Sequence, residues 1–349
     1  MDTLTHAVLG ATLGHMCFGR QLGWRAAVVG IMASEAPDLD FLIHSDADPL
    51  LNIEYHRHFT HSVFFAPLGA LLVVLPWLAR ARWRPQARAL WLCALLSWLS
   101  HIFVDACTTY GTQLLRPFSD ARFGWDLISI IDPLFTFVLL AGLVAMLVTK
   151  QRRFAWIALA MALAYLALGG LQRVRALRTQ TRLALARGHT IERREAMPTL
   201  GNHIIWRSLY QHNGRIHSDR IRVGWFAAPT VKQGTSLPLV TERELTHEEA
   251  ARSNAPTNFR RFSWFSSGWV ARAPIDPTVL GDMRYSLSAE AFDPIWGIRF
   301  TAPDHPVAVE WINRSSQRKV RLGALWDEIR GGDPAYVGLE QVTENAAGR

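Results

Sequence analysis

The stretch ALWLCALLSWLSHIFVDA, residues 89–106, decides how this chain is read. Its body is apolar and close to the roughly 17–20 residues that a helix needs to cross a bilayer. Yet it ends on His101 and Asp105. Four apart on a helix, those side chains project from one face, one turn from each other. A charged group at membrane depth costs roughly 3 kcal/mol on insertion scales, so such a pair must gain something in return.

Working outward, three more apolar runs approach spanning length, at 62–79, 133–149 and 154–171, and two shorter ones lie at 4–19 and 26–36. The polar residues inside this apolar half gather at the ends of runs: His6, then Asp38 and Asp40 after Pro37, then His56, Arg57, His58 and His61, then His101 and Asp105. The residue before a proline is pushed toward extended backbone, so a turn there can aim both Asp carboxylates into one cavity. Neutral imidazoles with carboxylates make a good donor set for Zn²⁺ or Mn²⁺. We therefore expect His6, Asp38, Asp40, His56, His61, His101 and Asp105 to converge on a divalent metal, most simply zinc, with Mn or Mg as alternatives. Taken singly, each has a plainer reading: a helix cap for Asp38, a packed residue for His6, a hydrogen-bonded pair for His101 and Asp105. The concentration of all of them where unpaired polarity is expensive favours the metal. His58 is expected to line the cavity, and His15 and His44 to do neither. His189, His203, His212, His217, His247 and His305 lack ligand spacing and read as surface or core residues.

The basic residues give an orientation. Arg20 and Arg25, the cluster Arg80, Arg82, Arg84 and Arg88, and Lys150, Arg152 and Arg153 occupy alternate loops. Cytoplasmic loops retain positive charge, which puts the His/Asp-rich ends outside. Arg173, Arg175, Arg178 and Arg182 fall on the other side and do not fit. In this setting the net charge of +8 and the pI near 9.9 read as topological charge rather than a nucleic-acid surface. Several of the 14 Trp residues flank apolar runs, where an apolar ring with a polar N–H is at home. The three cysteines, Cys17, Cys93 and Cys107, form no Cys-x-x-Cys pair and read as core residues. The N-terminus MDTLTHAVLG lacks a basic stretch and makes a poor cleavable signal, so its apolar segment is expected to remain.

From about residue 188 the texture changes. HIIWRSLYQ (203–211) and RIHSDRIRVGWF (215–226) around Asn213-Gly214 read as a hairpin. The stretches 259–271, 283–287, 296–302 and 307–312 read as further strands. The expected architecture is an α-helical membrane domain of four to six helices over 1–172, a basic linker or amphipathic helix at 173–187, a smaller β-rich soluble domain over 188–338 and a disordered tail at 339–349.

The segments MDTLTHAVLG, APDLDFLIH, HRHFTHSVFF and LSHIFVDACTTYGT, in this order over residues 1–150, resemble the motifs of the YdjM-like inner-membrane-associated, predicted metal-dependent hydrolases. His58 departs from that pattern, which has a small residue there. The family is similar, more distantly, to zinc-dependent phospholipase C and the fungal single-strand nucleases. That likeness implies His6, Asp38 or Asp40, His61, His101 and Asp105 as the ligands. The apolar runs and the basic loops, with the resemblance to the inner-membrane family, lead us to expect a multi-pass protein of the bacterial inner membrane, with the β-rich domain periplasmic or extracellular. The expected activity is hydrolysis of a phosphate ester or phospholipid-like, amphiphilic substrate at the outer face, with the bilayer itself as partner and no sign of nucleic acid or a protein partner. Arg57 is expected as a phosphate clamp or else an interfacial anchor; Asp126 and Asp132 are expected as partners for ligating histidines, Asp132 equally as the cap of a helix starting at Pro133. Two rival readings are a non-catalytic protein with a structural metal and a partner-binding β-rich domain, and an ion or proton transporter. The transporter would need polar residues spread across the bilayer, and here they sit at one face.

Overall fold

The computed structural model describes the chain except for residues 253, 287–291, 303–304, 306, 318–320 and 343–349. The expected tail falls mostly on the last of these, outside the described residues. The chain divides into two compact units: Met1–Ile43, Tyr55–Leu171 and Thr199–Asn202 form one, and His44–Glu54, Gln172–Pro198 and His203–Arg349 the other.

Helices dominate the first half: α1 (Thr3–Leu22), α2 (Arg25–Glu35), α3 (Leu51–Tyr55), α4 (Ala66–Leu78), α5 (Ala87–Ala106), α6 (Pro133–Thr149) and α7 (Arg153–Ala186). These seven exceed the expected four to six, because the polar stretch between α2 and α4 folds its own short helix α3. Asp2 caps α1, accepting from the Thr5 amide at 3.1 Å. The α1–α2 crossing is backbone against backbone: a Cβ on Gly10 would stand 2.4 Å from the Gly30 carbonyl oxygen, and one on Gly30 2.1 Å from that of Gly10. Small residues permit such an approach. Val8, Leu9, Met16, Val104, Phe135, Leu139 and Leu166 fill one core beside it.

By length and composition, two helical segments can cross a membrane, Ala81–Ala106 and Arg153–Ala186. Leu51–His61 with α4, bent by 86°, would make a third if taken as one broken span. Four spans were expected from the apolar runs. The run at 62–79 yields only thirteen helical residues, since Ser62–Phe65 turns before α4 begins at Ala66, and α6 has seventeen.

The segment 173–187, expected as a basic linker or amphipathic helix, continues α7 without a break. Within the second unit, Gln172, Ala176, Gln180 and Leu183 are buried at helical spacing, and Ala176 and Leu183 pack with Trp206, Ile221 and Val231. The strands are β1 (Arg193–Pro198), β2 (Ile205–His212), β3 (Arg215–Arg222), β4 (Thr230–Lys232), β5 (Ser236–Pro238), β6 (Val270–Arg272), β7 (Leu280–Asp282), β8 (Trp296–Phe300), β9 (Val309–Asn313) and β10 (Val337–Gly338). They form two antiparallel sheets, β1-β2-β3-β4-β10 with β5 on β3, and β6-β7-β8-β9. The β2–β3 hairpin turns at Asn213 and Gly214, both at positive φ, as a two-residue turn of this type requires. Short helices α8 (His247–Ala250), α9 (Ala255–Phe265) and α10 (Leu322–Arg330) complete the unit.

Two expected strands are corrected. Most of 259–271 lies in α9 or the turn after it, with only Val270 onward in β6. Phe259, Phe262 and Phe265 are all buried, three apart, which is a helical face, and a proline sits in the first turn. The 283–287 stretch is not a strand: β7 stops at Asp282, Ser286 makes an isolated bridge to Pro294, and Leu287 lies outside the described residues.

Replacing Gly30 by valine should force α1 and α2 apart and cost about 1–3 kcal/mol or more. The check is the thermal unfolding midpoint in detergent; an unchanged midpoint would contradict the close crossing.

Candidate metal centre

Four separate segments of the helical unit deliver the polar side chains. His6 comes from α1, and Asp38 and Asp40 from the 3-10 turn Ala36–Leu42, which Pro37 starts. His56 and Arg57 precede a second 3-10 turn, Phe59–His61, which carries His61. His101 and Asp105 lie at the end of α5. All seven expected ligands meet in one cluster.

His61 and His101 turn Nε2 toward each other at 3.0 Å. The Asp38 carboxylate stands 3.3 Å from His61 Nε2 and 3.5 Å from His101 Nε2. Asp105 Oδ2 stands 3.3 Å and 3.6 Å from the same two atoms. Four donors around one zinc, each about 2.0–2.1 Å from it, would be roughly 3.3 Å apart along every edge of the tetrahedron. The observed separations bracket that value. Asp105 Oδ2 is fully buried and faces both imidazoles, with Arg57 Nε 2.9 Å away on its other side. Asp38, His61, His101 and Asp105 thus fit a divalent metal. Asp38, Asp40 and His56 form a second group with ligand atoms equally close, so Asp38 is common to both.

The remaining residues act on these four. Asp40 accepts from the Arg57 amide at 2.8 Å and the Thr60 hydroxyl at 2.9 Å, and pairs with His56 Nδ1 at 2.7 Å. It also lies 3.3 Å from His61 Nδ1, so it fixes that ring with Nε2 facing Asp38 and Asp105. Burial alone would raise both aspartates. For Asp38 the hydrogen bonds from His101 and His61 outweigh it, and for Asp40 those from His56 and His61, so both stay well below the usual carboxylate range. His6 stacks on His101 at 3.7 Å and reaches Asp105 through Nε2 at 3.1 Å. The Met1 amino group also contacts Asp105.

Arg57 is not placed as a free clamp, and Asp132 takes the second of its two expected roles. Arg57 is buried at a positive φ of 61°. Its Nε lies 2.9 Å from Asp105, its Nη1 donates to Thr108 at 3.0 Å, and its guanidinium covers the Tyr110 ring. It is committed to Asp105 and is not a free clamp. Asp132 caps α6, accepting from the Phe135 amide at 3.1 Å and from the Tyr165 hydroxyl at 2.9 Å. That is the plainer of its two readings. His58 packs on Tyr55 at 5.1 Å.

Thr60, Thr108 and Trp98, whose indole N–H donates to the Thr60 carbonyl at 3.0 Å, support the centre and were not singled out in the sequence. The position of Thr60 beside His61 was the available signal. The structure also gathers His189, His212 and His217 in the second unit, with ring centroids 4.3–6.3 Å apart. Two of them lie on one hairpin face, since His212 opposes Arg215 and His217 opposes Tyr210. Burial pushes His217 down to about 4.

The profile of the YdjM inner membrane protein family matches residues 1–176, a span that holds every residue of the cluster. Among curated proteins, the uncharacterized protein YfhP of Bacillus subtilis (strain 168) is 34% identical over 146 residues, covering 38% of this chain and 42% of its own length. The inner membrane protein YbcI of Escherichia coli (strain K12) is 33% identical over 131 residues, covering 36% of this chain and 75% of its own. The chain thus spans less than half the length of YfhP. No solved structure matches it. Family and apolar helices together place the protein in a membrane.

The donor geometry makes a graded prediction for bound metal, measured on purified protein after dialysis. His101→Ala and Asp105→Asn should abolish stoichiometric binding, whereas Asp40→Asn should weaken it by about 10–100-fold, the usual effect of losing a carboxylate that orients a ligating histidine. Equal retention in all three variants would contradict the assignment.

Proposed function

The chain belongs to the YdjM inner membrane protein family, and from its metal centre we propose that it is a membrane-bound, metal-dependent hydrolase of phosphate esters. The observation that carries this reading is the asymmetry of the donor set. His61, His101 and Asp105 are sealed from solvent, but the Asp38 side chain is 27% exposed. The centre therefore has one approachable flank, and Asp38 lies on it between the two ligand groups.

A divalent cation held by Asp38, His61, His101 and Asp105, zinc by the donor set with Mn or Mg as alternatives, would supply Lewis acidity toward a phosphoryl oxygen and a more acidic water. The chain's own groups do the rest. Asp38, ionised and reachable, orients an attacking water by accepting its hydrogen bond. Asp40 holds the His61 ring through Nδ1. Arg57 balances the Asp105 charge in a buried place. His56, 26% exposed and hydrogen-bonded to Asp40, sits beside the same flank, placed to take the proton of that water.

Apolar helices around the centre suit an amphiphilic substrate, a phospholipid or lipid-linked phosphate, met at the bilayer surface. The alternate basic loops support an outer location for that surface, with the β-rich unit periplasmic or extracellular in a multi-pass chain.

One observation favours a second reading, a structural metal in a non-catalytic protein: four protein donors can close a tetrahedron and leave no position for substrate. The two readings separate in one assay. The protein is loaded with zinc or manganese in detergent and offered bis-p-nitrophenyl phosphate, p-nitrophenyl phosphate and phospholipid vesicles. Hydrolysis should appear, stop on chelation, and fall by about a hundredfold or more in Asp38→Asn. Fully metallated protein that turns over none of the three would reject the hydrolase and leave the structural site.

A further inference from the structure

The β3–β4 connection of the second unit exposes Trp225, Phe226, Ala227 and Ala228 in succession, and the Phe226 side chain is wholly uncovered. Such a tip usually means a surface that something apolar meets. The base of this loop is not free. Gln172 Nε2 donates to the carbonyls of Val223 at 2.8 Å and His203 at 3.1 Å. Arg175 donates to the Gly224 carbonyl at 2.9 Å and to Gln172 Oε1 at 2.6 Å. The loop is therefore pinned to two side chains one turn apart on α7.

Those side chains mark a particular height on the helix. The apolar part of α7 runs from 154 to 171, and Gln172, Arg173 and Arg175 follow directly. Eighteen residues rise about 27 Å at about 1.5 Å each, close to the ~30 Å of a hydrocarbon core. Leu163, Leu168, Leu171 and Val174 are exposed apolar residues that carry the outward stripe to that level. Trp225 and Phe226 follow Gly224 by one and two residues, which limits them to about 7 Å of chain from the pinned carbonyl. That distance lies within the ~5–10 Å depth of the headgroup and upper acyl boundary, where aromatic rings collect.

We propose that the Trp225–Phe226 tip is an interfacial anchor, inserted into the leaflet from which α7 emerges. The occupant of this apolar tip is lipid. The continuity is along the chain: α7, which carries the apolar run, also carries the two side chains that hold the loop. The anchor would hold the β-rich unit against the bilayer, in addition to the tether supplied by α7.

The test uses the full chain in phosphatidylcholine–phosphatidylglycerol vesicles with Cys17 replaced by serine, which leaves only the buried Cys93 and Cys107. Single cysteines labelled with the fluorophore NBD replace Phe226, Ile275 or Leu163, all exposed side chains. Phe226→Cys should give a blue-shifted emission, quenched several-fold more than Ile275→Cys by lipids carrying a nitroxide near the top of the acyl chain. Leu163→Cys should be quenched by deep nitroxides. If Leu163→Cys responds but Phe226→Cys is quenched no more than Ile275→Cys, the anchor is rejected while α7 still spans. A blue shift at 226 without lipid quenching means that protein covers the tip and likewise rejects it. No quenching at 163 overturns the span, and the anchor with it.

Discussion

The Asp105 carboxylate is the constraint on which the helical unit depends. It is fully buried at the end of an apolar helix, and a lone ion there would cost many kcal/mol by transfer from water. It persists because His6, His61, Arg57 and the Met1 amino group crowd around it. Each of those partners must then be held in place, and much of the local architecture follows. Arg57 adopts a left-handed backbone conformation, one that non-glycine residues seldom take, while its amide binds Asp40 and its guanidinium reaches Asp105. The same backbone turn therefore satisfies the aspartate pair and the α5 aspartate together.

The scaffold brings the parts together by close helix packing. α1 carries His6 and α2 leads into Asp38, and the two helices cross at Gly10 and Gly30 with no side chain between them. Ser34 on α2 donates to the His6 carbonyl at 2.9 Å, and Trp98 on α5 donates to Thr60 beside His61. These tie the four segments at the level of the site. The histidine and aspartate spacings near 3.3 Å are then a product of the packing, independent of any bound ion.

Much of the site was legible because its residues are costly where they occur. Imidazoles and carboxylates at the ends of apolar runs stand out, and the His101–Asp105 spacing fixes their common face. What each one does was less legible. Arg57 looked like a free clamp because its partner, Asp105, is 48 residues away, and no local pattern announces that pairing. Asp132 kept two readings because a cap and a histidine partner look alike before Pro133. The fold was legible in outline. The apolar runs marked where helices begin but not where α7 ends, since its polar half has a helical face of Gln172, Ala176, Gln180 and Leu183 that matters only once a sheet is there to cover it. The phenylalanines of α9 suggested a strand by residue type, while their three-residue spacing pointed to a helix.

X-ray absorption at the zinc edge of the zinc-loaded protein addresses the central claim most directly. This account predicts two imidazole nitrogens and carboxylate oxygens at about 2.0–2.1 Å, with the imidazole outer-shell scattering reduced to one ring in His61→Ala. A spectrum of an ion bound by water and carboxylate alone, with no imidazole scattering, would contradict it.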